Sequence, residues 1–281
     1  MAKVAVIILN YQLKNDTLEA VYSVLQSDFT GIEIIVVDNN SEDGIEEEIK
    51  KIRGVKFIQI GSNLGYTGGN NLGIRYAINV GSDYIFILNP DTVVKKDTIR
   101  YLLSASENEN AGVVGPKILF NDKKTIWYAG GEIDKNNVLG AHRGLDQVDI
   151  GQYDNPSEVS FVTGAAFFAK RQLFERAGFF DERYFLYMED ADLCLRAKKL
   201  GMKIFYQPKA VVFHKNAKAT GLGSPLQDYY ITRNRLLFAF KFLSYRTRFA
   251  LLRHVFVNIN IPARRRALFD FLLGRFGKGP Y

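Results

Sequence analysis

Runs rich in Val and Ile recur along the first half of the chain, each followed by a stretch with helical spacing. No other feature restricts the fold as strongly. VAVIILNY (4–11), IEIIVVDN (32–39), VKFIQI (55–60), DYIFILNPD (83–91) and AGVVGPKILF (111–120) read as strands. Residues 15–27, 42–52, 68–80 and 97–108 read as the helices between them, the first opened by Asn15 and Asp16 as candidate caps. Strands that are apolar on both faces belong inside parallel sheets. Alternating strand and helix then implies right-handed crossovers on one sheet. The expected fold class is α/β: a mixed, mostly parallel sheet flanked by helices.

Beyond residue 120 the pattern loosens. Residues 121–158 are polar, with Gly, Asn and Asp pairs that suit hairpins or loops. A strand leading into a helix is expected over 159–178, a helix over 189–201, and strands over 202–208 and 211–214. From Leu226 long aromatic-rich helical patterns follow, punctuated at Pro262. With 281 residues and 47% hydrophobic content, the chain can bury the core of one large domain, expected at 1–225, with a helical segment at 226–281. Its single cysteine, Cys194, rules out an internal disulfide, and its apolar-polar surroundings mark a small buried residue rather than a nucleophile. A reducing compartment fits that usage. The opening apolar run reads as a strand rather than a signal peptide. No stretch reaches the roughly 18–20 uncharged apolar residues of a membrane span.

Open parallel sheets bind ligands beyond the carboxyl ends of their strands, which makes polar residues there informative. Asn10, the run Asp38-Asn39-Asn40, and Asn89-Pro90-Asp91 each end an apolar strand. Any one of them fits a turn, because Asp and Asn start turns; together they mark one sheet edge. GSNLGYTGGNN (61–71) adds a Gly-rich turn into a helix, where backbone comes close to a ligand and a helix N-terminus favours phosphate. The GxGxxG spacing of a dinucleotide fingerprint is missing, and the turn follows the third strand. Glu189 and Asp190 precede a helical pattern, a place where acids also simply complement the helix dipole. His214 ends an apolar strand, where a histidine is commonly structural.

In order and spacing, VAVIILNY, IIVVDNNSEDG, NLGYTGGNNLGI, YIFILNPDTVV and FLYMEDADLCLRAKKLGMKIFYQPKAVVFH resemble the inverting family 2 glycosyltransferases, which have a GT-A fold, and within them the rhamnosyltransferases. The resemblance runs over about residues 3–240. It implies a nucleotide-binding half at 1–120 and an acceptor half at 121–225. It further implies that a sugar, with rhamnose a candidate, moves from a dTDP- or UDP-sugar to a hydroxyl of a glycan or lipid-linked glycan, with Mg2+ or Mn2+ as cofactor. On that resemblance Asp38 accepts a hydrogen bond from the nucleotide base, whose imide N–H needs an acceptor. Gly65, Asn70 and Asn71 line the donor pocket, joined on the donor side by Asn10, Asn40 and Asn89. Asp91 is the metal acid. Asn89 stands where the family commonly has a second acid, which leaves one carboxylate and a neutral oxygen. His214 completes the metal site in some members. Asp190 matches the general base, with Glu189 in acceptor binding or orientation. Thr163, Gly164 and Ala165 hold acceptor or sugar phosphate through backbone groups. Trp127 and Tyr128 line the sugar or acceptor pocket, or pack in the core. The pair Arg233-Asn234 lies near the donor phosphates, where the Arg233 guanidinium fork suits a diphosphate, or Arg233 belongs to a basic helix face.

Net charge is +7, but residues 233–281 hold eleven Lys/Arg against one acid, Asp270, so the first 232 residues carry −3. Over 226–277 Leu, Phe and Tyr interleave with Arg and Lys, the pattern of an interfacial amphipathic helix drawn to an anionic membrane surface. A packed helix with solvated arginines, or a homo-oligomer contact, fits the same letters. No nucleic-acid motif accompanies the basic residues. The expected location is cytoplasmic, peripheral on the inner face of the cell membrane. Nucleotidyltransferases and sugar-phosphate pyrophosphorylases usually carry a Gly-rich signature after strand one, where this chain reads NYQLKNDTLEA. A catalytically degenerate scaffold that binds nucleotide or membrane rests on Asn89 alone.

Overall fold

Val4 to Ile8 are fully buried, as a strand covered on both faces must be. That strand, β1 (Val4–Asn10), leads through α1 (Lys14–Leu25), β2 (Ile32–Asp38), α2 (Ile45–Lys50), β3 (Val55–Gln59), α3 (Gly65–Asn79) and β4 (Tyr84–Leu88), the alternation expected. The computed structural model describes residues 2–134, 137–215 and 223–281. It continues through β5 (Thr92–Val94), α4 (Thr98–Asn108), β6 (Ala111–Phe120), β7 (Ile126–Tyr128), β8 (Gly131–Asp134), β9 (Leu139–His142), β10 (Ser157–Glu158) and β11 (Ala166–Lys170). Then come α5 (Arg171–Ala177), α6 (Glu189–Lys199), β12 (Lys203–His214), α7 (Pro225–Phe242), α8 (Tyr245–Val257) and α9 (Pro262–Leu272).

The strands of the main sheet lie in the order β10-β12-β6-β11-β4-β1-β2-β3, with β5 on β12 and β7 on β6. The block β4-β1-β2-β3 is parallel throughout. β11 is antiparallel to both β4 and β6, which restores the direction of β6, and β12 is parallel to β6. The carboxyl ends of β1, β2, β4 and β12 therefore share one edge. Register puts Asn10 opposite Asp38 there, and His214 opposite Thr92. The polar stretch after β6 forms β7 and a β8–β9 hairpin.

Two expectations change. Residues 203–214 form one strand, with a register slip between Gln207 and Val211. Pro208 in that slip has no N–H for the ladder. Within 159–178 only Ala166–Lys170 is a regular strand; Gly164 and Ala165 form the turn that enters it.

Helix starts in the last part follow local chemistry. Ser224 accepts from the Gln227 N–H with Pro225 at the first position of α7, and Ser244 accepts from the Thr247 N–H at α8. Leu236, Leu237 and Phe238 of α7, Leu251 and Val255 of α8, and Leu268 of α9 join the main core. The opposite face of α8 carries Tyr245, Phe249 and Phe256, exposed by 83%, 72% and 65%, with exposed Arg246 and Arg253 alongside. Among the described residues no helix is long and apolar enough to cross a membrane.

Candidate active site

The end of β1 is a hydrogen-bond hub. Asn10 is fully buried. Its Nδ2 donates to Asp38 Oδ1 (2.7 Å), Ser41 Oγ (3.0 Å) and Asp43 Oδ2 (3.1 Å). Its Oδ1 accepts from Thr17 Oγ1 (2.8 Å) and the Leu13 N–H (3.3 Å). Asn10, expected on the donor side, has its amide committed to the protein and orients Asp38 instead. Asp38 also accepts from the Ser41 N–H at 2.9 Å. Asn40 is exposed with φ +63°, a left-handed turn position that Asn tolerates. The neighbouring Asn39 points inward. Its Oδ1 accepts from the Leu64 N–H (2.9 Å) and its Nδ2 donates to Asn63 Oδ1 (2.9 Å), so it shapes the Gly-rich turn.

That turn opens α3 at Gly65, whose φ is +72°. A Cβ there would lie 2.5 Å from the Phe185 ring and 2.6 Å from the Phe185 carbonyl oxygen, so only glycine fits. On the first turns of α3, Thr67 Oγ1 and Asn70 Oδ1 are buried and have no hydrogen-bond partner among the described residues. Buried polar atoms normally have one; both residues are fully closed off from solvent, so these two oxygens go unsatisfied inside the fold. Asn71, expected beside Asn70 in the donor pocket, is turned away. It exchanges hydrogen bonds with Phe180 N–H (3.0 Å) and O (2.9 Å) and donates to Glu182 (3.0 Å). Asn71 is a strap between α3 and the segment before α6.

Pairing of β5 with β12 brings Asp91 Oδ1 to 3.1 Å from His214 Nε2, and both side chains are buried. Among the described residues no group of three or more His, Cys, Asp or Glu is placed to hold a metal ion. Asp91 and His214 fit a divalent ion as a carboxylate–imidazole pair that takes its other ligands from substrate oxygens, as hard cations at phosphates do. The Trp127 ring stands edge-on to His214 (centroids 4.6 Å) and to His142 (4.5 Å), so it packs between two imidazoles. Burial pushes His142 down to about 4, which keeps it neutral near pH 7.

Asp190 lies in the first turn of α6. Its Oδ2 accepts from the Gly164 N–H (2.9 Å) and its Oδ1 from the Ala191 N–H (2.7 Å). The Gly164 carbonyl accepts from the Tyr66 hydroxyl (2.7 Å), and the Ala165 carbonyl from the Asn89 N–H (2.9 Å). Gly164–Ala165 thus ties Asp190 to the Gly-rich helix and to the strand end that carries Asp91. A Cβ at 164 would lie 2.6 Å from the Tyr66 hydroxyl. Thr163 and Ala165 are buried on either side. Burial above all, then the Asp190 and Asp192 carboxylates, hold Glu189 well above its ordinary value. Burial raises Asp190 too, but the N–H groups of Gly164 and Ala191 oppose it. Of the two carboxyls, Glu189 keeps the proton and Asp190 ionises first, the split that separates roles in paired-carboxylate sites.

The family model for glycosyl transferase family 2 matches residues 4–178, more than half of the chain. This chain belongs to glycosyltransferase family 2. Its relatives include the low-salt glycan biosynthesis hexosyltransferase Agl10 of Haloferax volcanii, 28% identical over 236 residues, 83% of this chain and 74% of that one. The dTDP-rhamnosyl transferase RfbF of Shigella flexneri is 27% identical over 240 residues, 83% and 77% of the two chains. N-acetylglucosaminyl-diphospho-decaprenol L-rhamnosyltransferase of Mycobacterium tuberculosis is 29% identical over 213 residues, 68% of each. Among solved structures, GalNAc-T7 with UDP, GalNAc and Mn2+ has a TM-score of 0.62 at 17% identity, covering 76% of this chain but only 44% of that one. TarS of S. aureus in complex with UDP-GlcNAc has 0.61 at 17%, covering 84% and 66%. These structural likenesses establish a GT-A fold, and the relatives make this a rhamnosyltransferase-like glycosyltransferase.

In this glycosyltransferase Arg233 does not serve the diphosphate as expected. It is fully buried. Its Nη1 donates to Gly277 O (2.8 Å) and Tyr229 Oη (3.3 Å), its Nη2 to Tyr184 O (3.0 Å) and Arg183 O (3.1 Å), and its Nε to Asn234 Oδ1 (3.2 Å). A guanidinium fork fits carbonyl groups as well as phosphate oxygens, and here the protein's own backbone takes it. Two of the carbonyls it holds, those of Arg183 and Tyr184, belong to the segment before α6, where Phe185, Tyr187 and Met188 have φ of +64°, +71° and +72°. Each left-handed residue with a Cβ costs about 1–2 kcal/mol. The sequence reading gave Asn39 no role beyond the strand-end run and Tyr66 none beyond the Gly-rich turn, and it placed Asn234 with Arg233 near the diphosphate. The first two lie inside the DNN and NLGYTGG strings, but a string does not say which side chain turns inward.

Proposed function

We propose that this glycosyltransferase inverts the anomeric centre of a sugar, rhamnose first among candidates, as it moves it from a dTDP- or UDP-sugar to a hydroxyl of a lipid-linked glycan. The acceptor oxygen attacks the anomeric carbon, and its proton passes to Asp190. The bond from the anomeric carbon to the β-phosphate oxygen breaks, and its electron pair leaves with the nucleoside diphosphate. Asp38 holds the base, and the start of α3 at Gly65 faces the diphosphate. A divalent ion, Mg2+ or Mn2+, held by Asp91 and His214 would neutralise charge on the leaving group. Glu189, protonated, can donate a hydrogen bond to acceptor or sugar oxygen.

The observation that carries this reading is the Gly164–Ala165 bridge, which fixes one ionisable carboxylate, Asp190, to both the Gly-rich helix and the strand end before Asp91. Relatives named as acting with dTDP-rhamnose and on a decaprenol-linked diphosphate sugar support the donor and acceptor classes. The exposed Tyr245, Phe249 and Phe256 stripe with Arg246 and Arg253 suits an anionic bilayer, on the cytoplasmic side where nucleotide sugars are made. Asp270, the only acidic side chain from residue 233 onward, is buried and paired with Arg266, so no acidic side chain of this stretch opposes such a surface.

Asp190→Asn tests the mechanism. Turnover should fall roughly 10²- to 10⁴-fold, while dTDP or UDP binding, read by thermal shift, stays as in the parent. Unchanged turnover would remove Asp190 from the role of base.

A further inference from the structure

We infer that Asn234, seconded by Arg233, is a positioning residue for Asp190, acting through the backbone of residues 184–187; the inference rests on Asp190 being the base. Three of the four residues 185–188 are left-handed without being glycine. Side chains disfavour that conformation, and it persists only where the surroundings over-determine it. Met188 is the residue from which α6 starts, and its carbonyl accepts from the Asp192 N–H. The turn at 187–188 therefore decides where Glu189 and Asp190 point.

Asn234 supplies the restraint. It is fully buried, and its Nδ2 donates to the carbonyls of Leu186 (2.7 Å), Tyr184 (3.0 Å) and Tyr187 (3.0 Å). A side chain of this size with two N–H donors on one atom is an amide; Ser and Thr offer one donor and Asp⁻ none. Arg233 adds donors to Arg183 and Tyr184 and fixes the amide's own oxygen. Two turns further along α7, Lys241 pairs with both Asp181 and Asp192, the two ends of the segment. On the far side α3 grips the same loop. The Thr67 N–H donates to Phe185 O at 3.3 Å, and Gly65 lets Phe185 come close. The loop is held from α7 and α3 together, and Asp190 arrives at the Gly164 N–H in consequence.

The test replaces Asn234 by Ala and by Ser in the full chain. Hydrogen exchange over residues 183–190 should speed up in both, more in Asn234→Ala, while β1 and β2 keep their protection. Turnover is read as dTDP released from dTDP-rhamnose with an N-acetylglucosaminyl-diphospho-lipid acceptor. It should fall about 100-fold in Asn234→Ala, the scale of a small misplacement of a reacting group. Asn234→Ser keeps one donor, is expected between parent and Ala, and carries the test should the Ala protein not fold. The donor KM and the thermal shift with dTDP and Mn2+ should stay within twofold of the parent. Faster loop exchange with kcat near the parent's would overturn the inference. So would a loss of dTDP binding in step with kcat, which marks a merely structural residue. Asp190→Asn in the same assay separates the two levels. If it turns over, the base assignment falls. If it is dead while both Asn234 variants turn over normally, only the positioning role falls.

Discussion

The first 120 residues reach the shared sheet edge through local, regular structure, whereas the later part that carries Asp190 reaches it through a strained segment tied down from far along the chain. In the first half the functional groups project from neighbouring parallel strands. Asn10 meets Asp38 28 positions away because β1 and β2 are in register, and Asn39 meets Leu64 25 positions away. In the second half Asp190 follows a segment with three left-handed residues, in which Asn234, 50 positions beyond Tyr184, holds the carbonyls of Tyr184, Leu186 and Tyr187. Register is enforced by the whole buried sheet and tolerates the loss of one contact. A left-handed segment depends on a few specific donors. On the function proposed above, nucleotide capture is thus built into the architecture, and proton removal depends on side-chain restraints added to it.

That contrast is breakable at several points. The largest effect belongs to the donor edge. Saturating dTDP or UDP at about 100 times its Kd should stabilise the protein by roughly 2.7 kcal/mol, and the Mn2+-dependent part of that shift should vanish in Asp91→Ala. A full shift retained without Asp91 would mean that the ion, or the nucleotide, sits elsewhere. Next comes the outer surface of the second half. In Phe249→Ser/Phe256→Ser, co-sedimentation with vesicles rich in anionic lipid should weaken roughly tenfold, as expected for removing two partly inserted aromatic rings. Equal partition of variant and parent would assign the stripe another use. The smallest effect is one of pH. In the unfolded chain Glu189 ionises in the ordinary carboxylate range, while in the fold burial holds its proton to higher pH. Its cost to stability is therefore nil below the ordinary range and grows as pH climbs from there through the raised value. Glu189→Gln should match the parent in acid and exceed it by a few degrees in Tm at neutral and alkaline pH. A variant less stable than the parent at pH 8 would show that Glu189 is ionised in the fold.

Most of the fold was legible because each strand of the donor half is a continuous buried run, and burial on both faces leaves few alternatives. The same logic exposed Asp38 and Asp91 as polar groups at the ends of apolar strands, while Asp190 was singled out by the family resemblance at a helix start. What the letters hid was direction. Asn70 and Asn71 are adjacent and identical, yet on a helix they face different neighbours; Asn70 leaves an oxygen without a protein partner while Asn71 straps Phe180. Arg233 read as a phosphate ligand because its chemistry suits one, and only the packing of α7 against residues 183–187 shows that backbone oxygens occupy it. The single strand 203–214 was split in two for a related reason. Pro208 interrupts hydrogen bonding, but the strand resumes after the slip.

Long-range restraint also gives this enzyme an order of completion. A growing chain makes Asp190 well before Asn234, and Gly277, whose carbonyl engages Arg233, comes 44 residues after that arginine. Until that stretch is made, the left-handed segment has the contacts of α3 but lacks those of α7, although the β1–β4 sheet is already synthesised. During biosynthesis the chain therefore completes the sheet edge that carries Asp38 first, and the side chains that hold the carbonyls of residues 183–187 last.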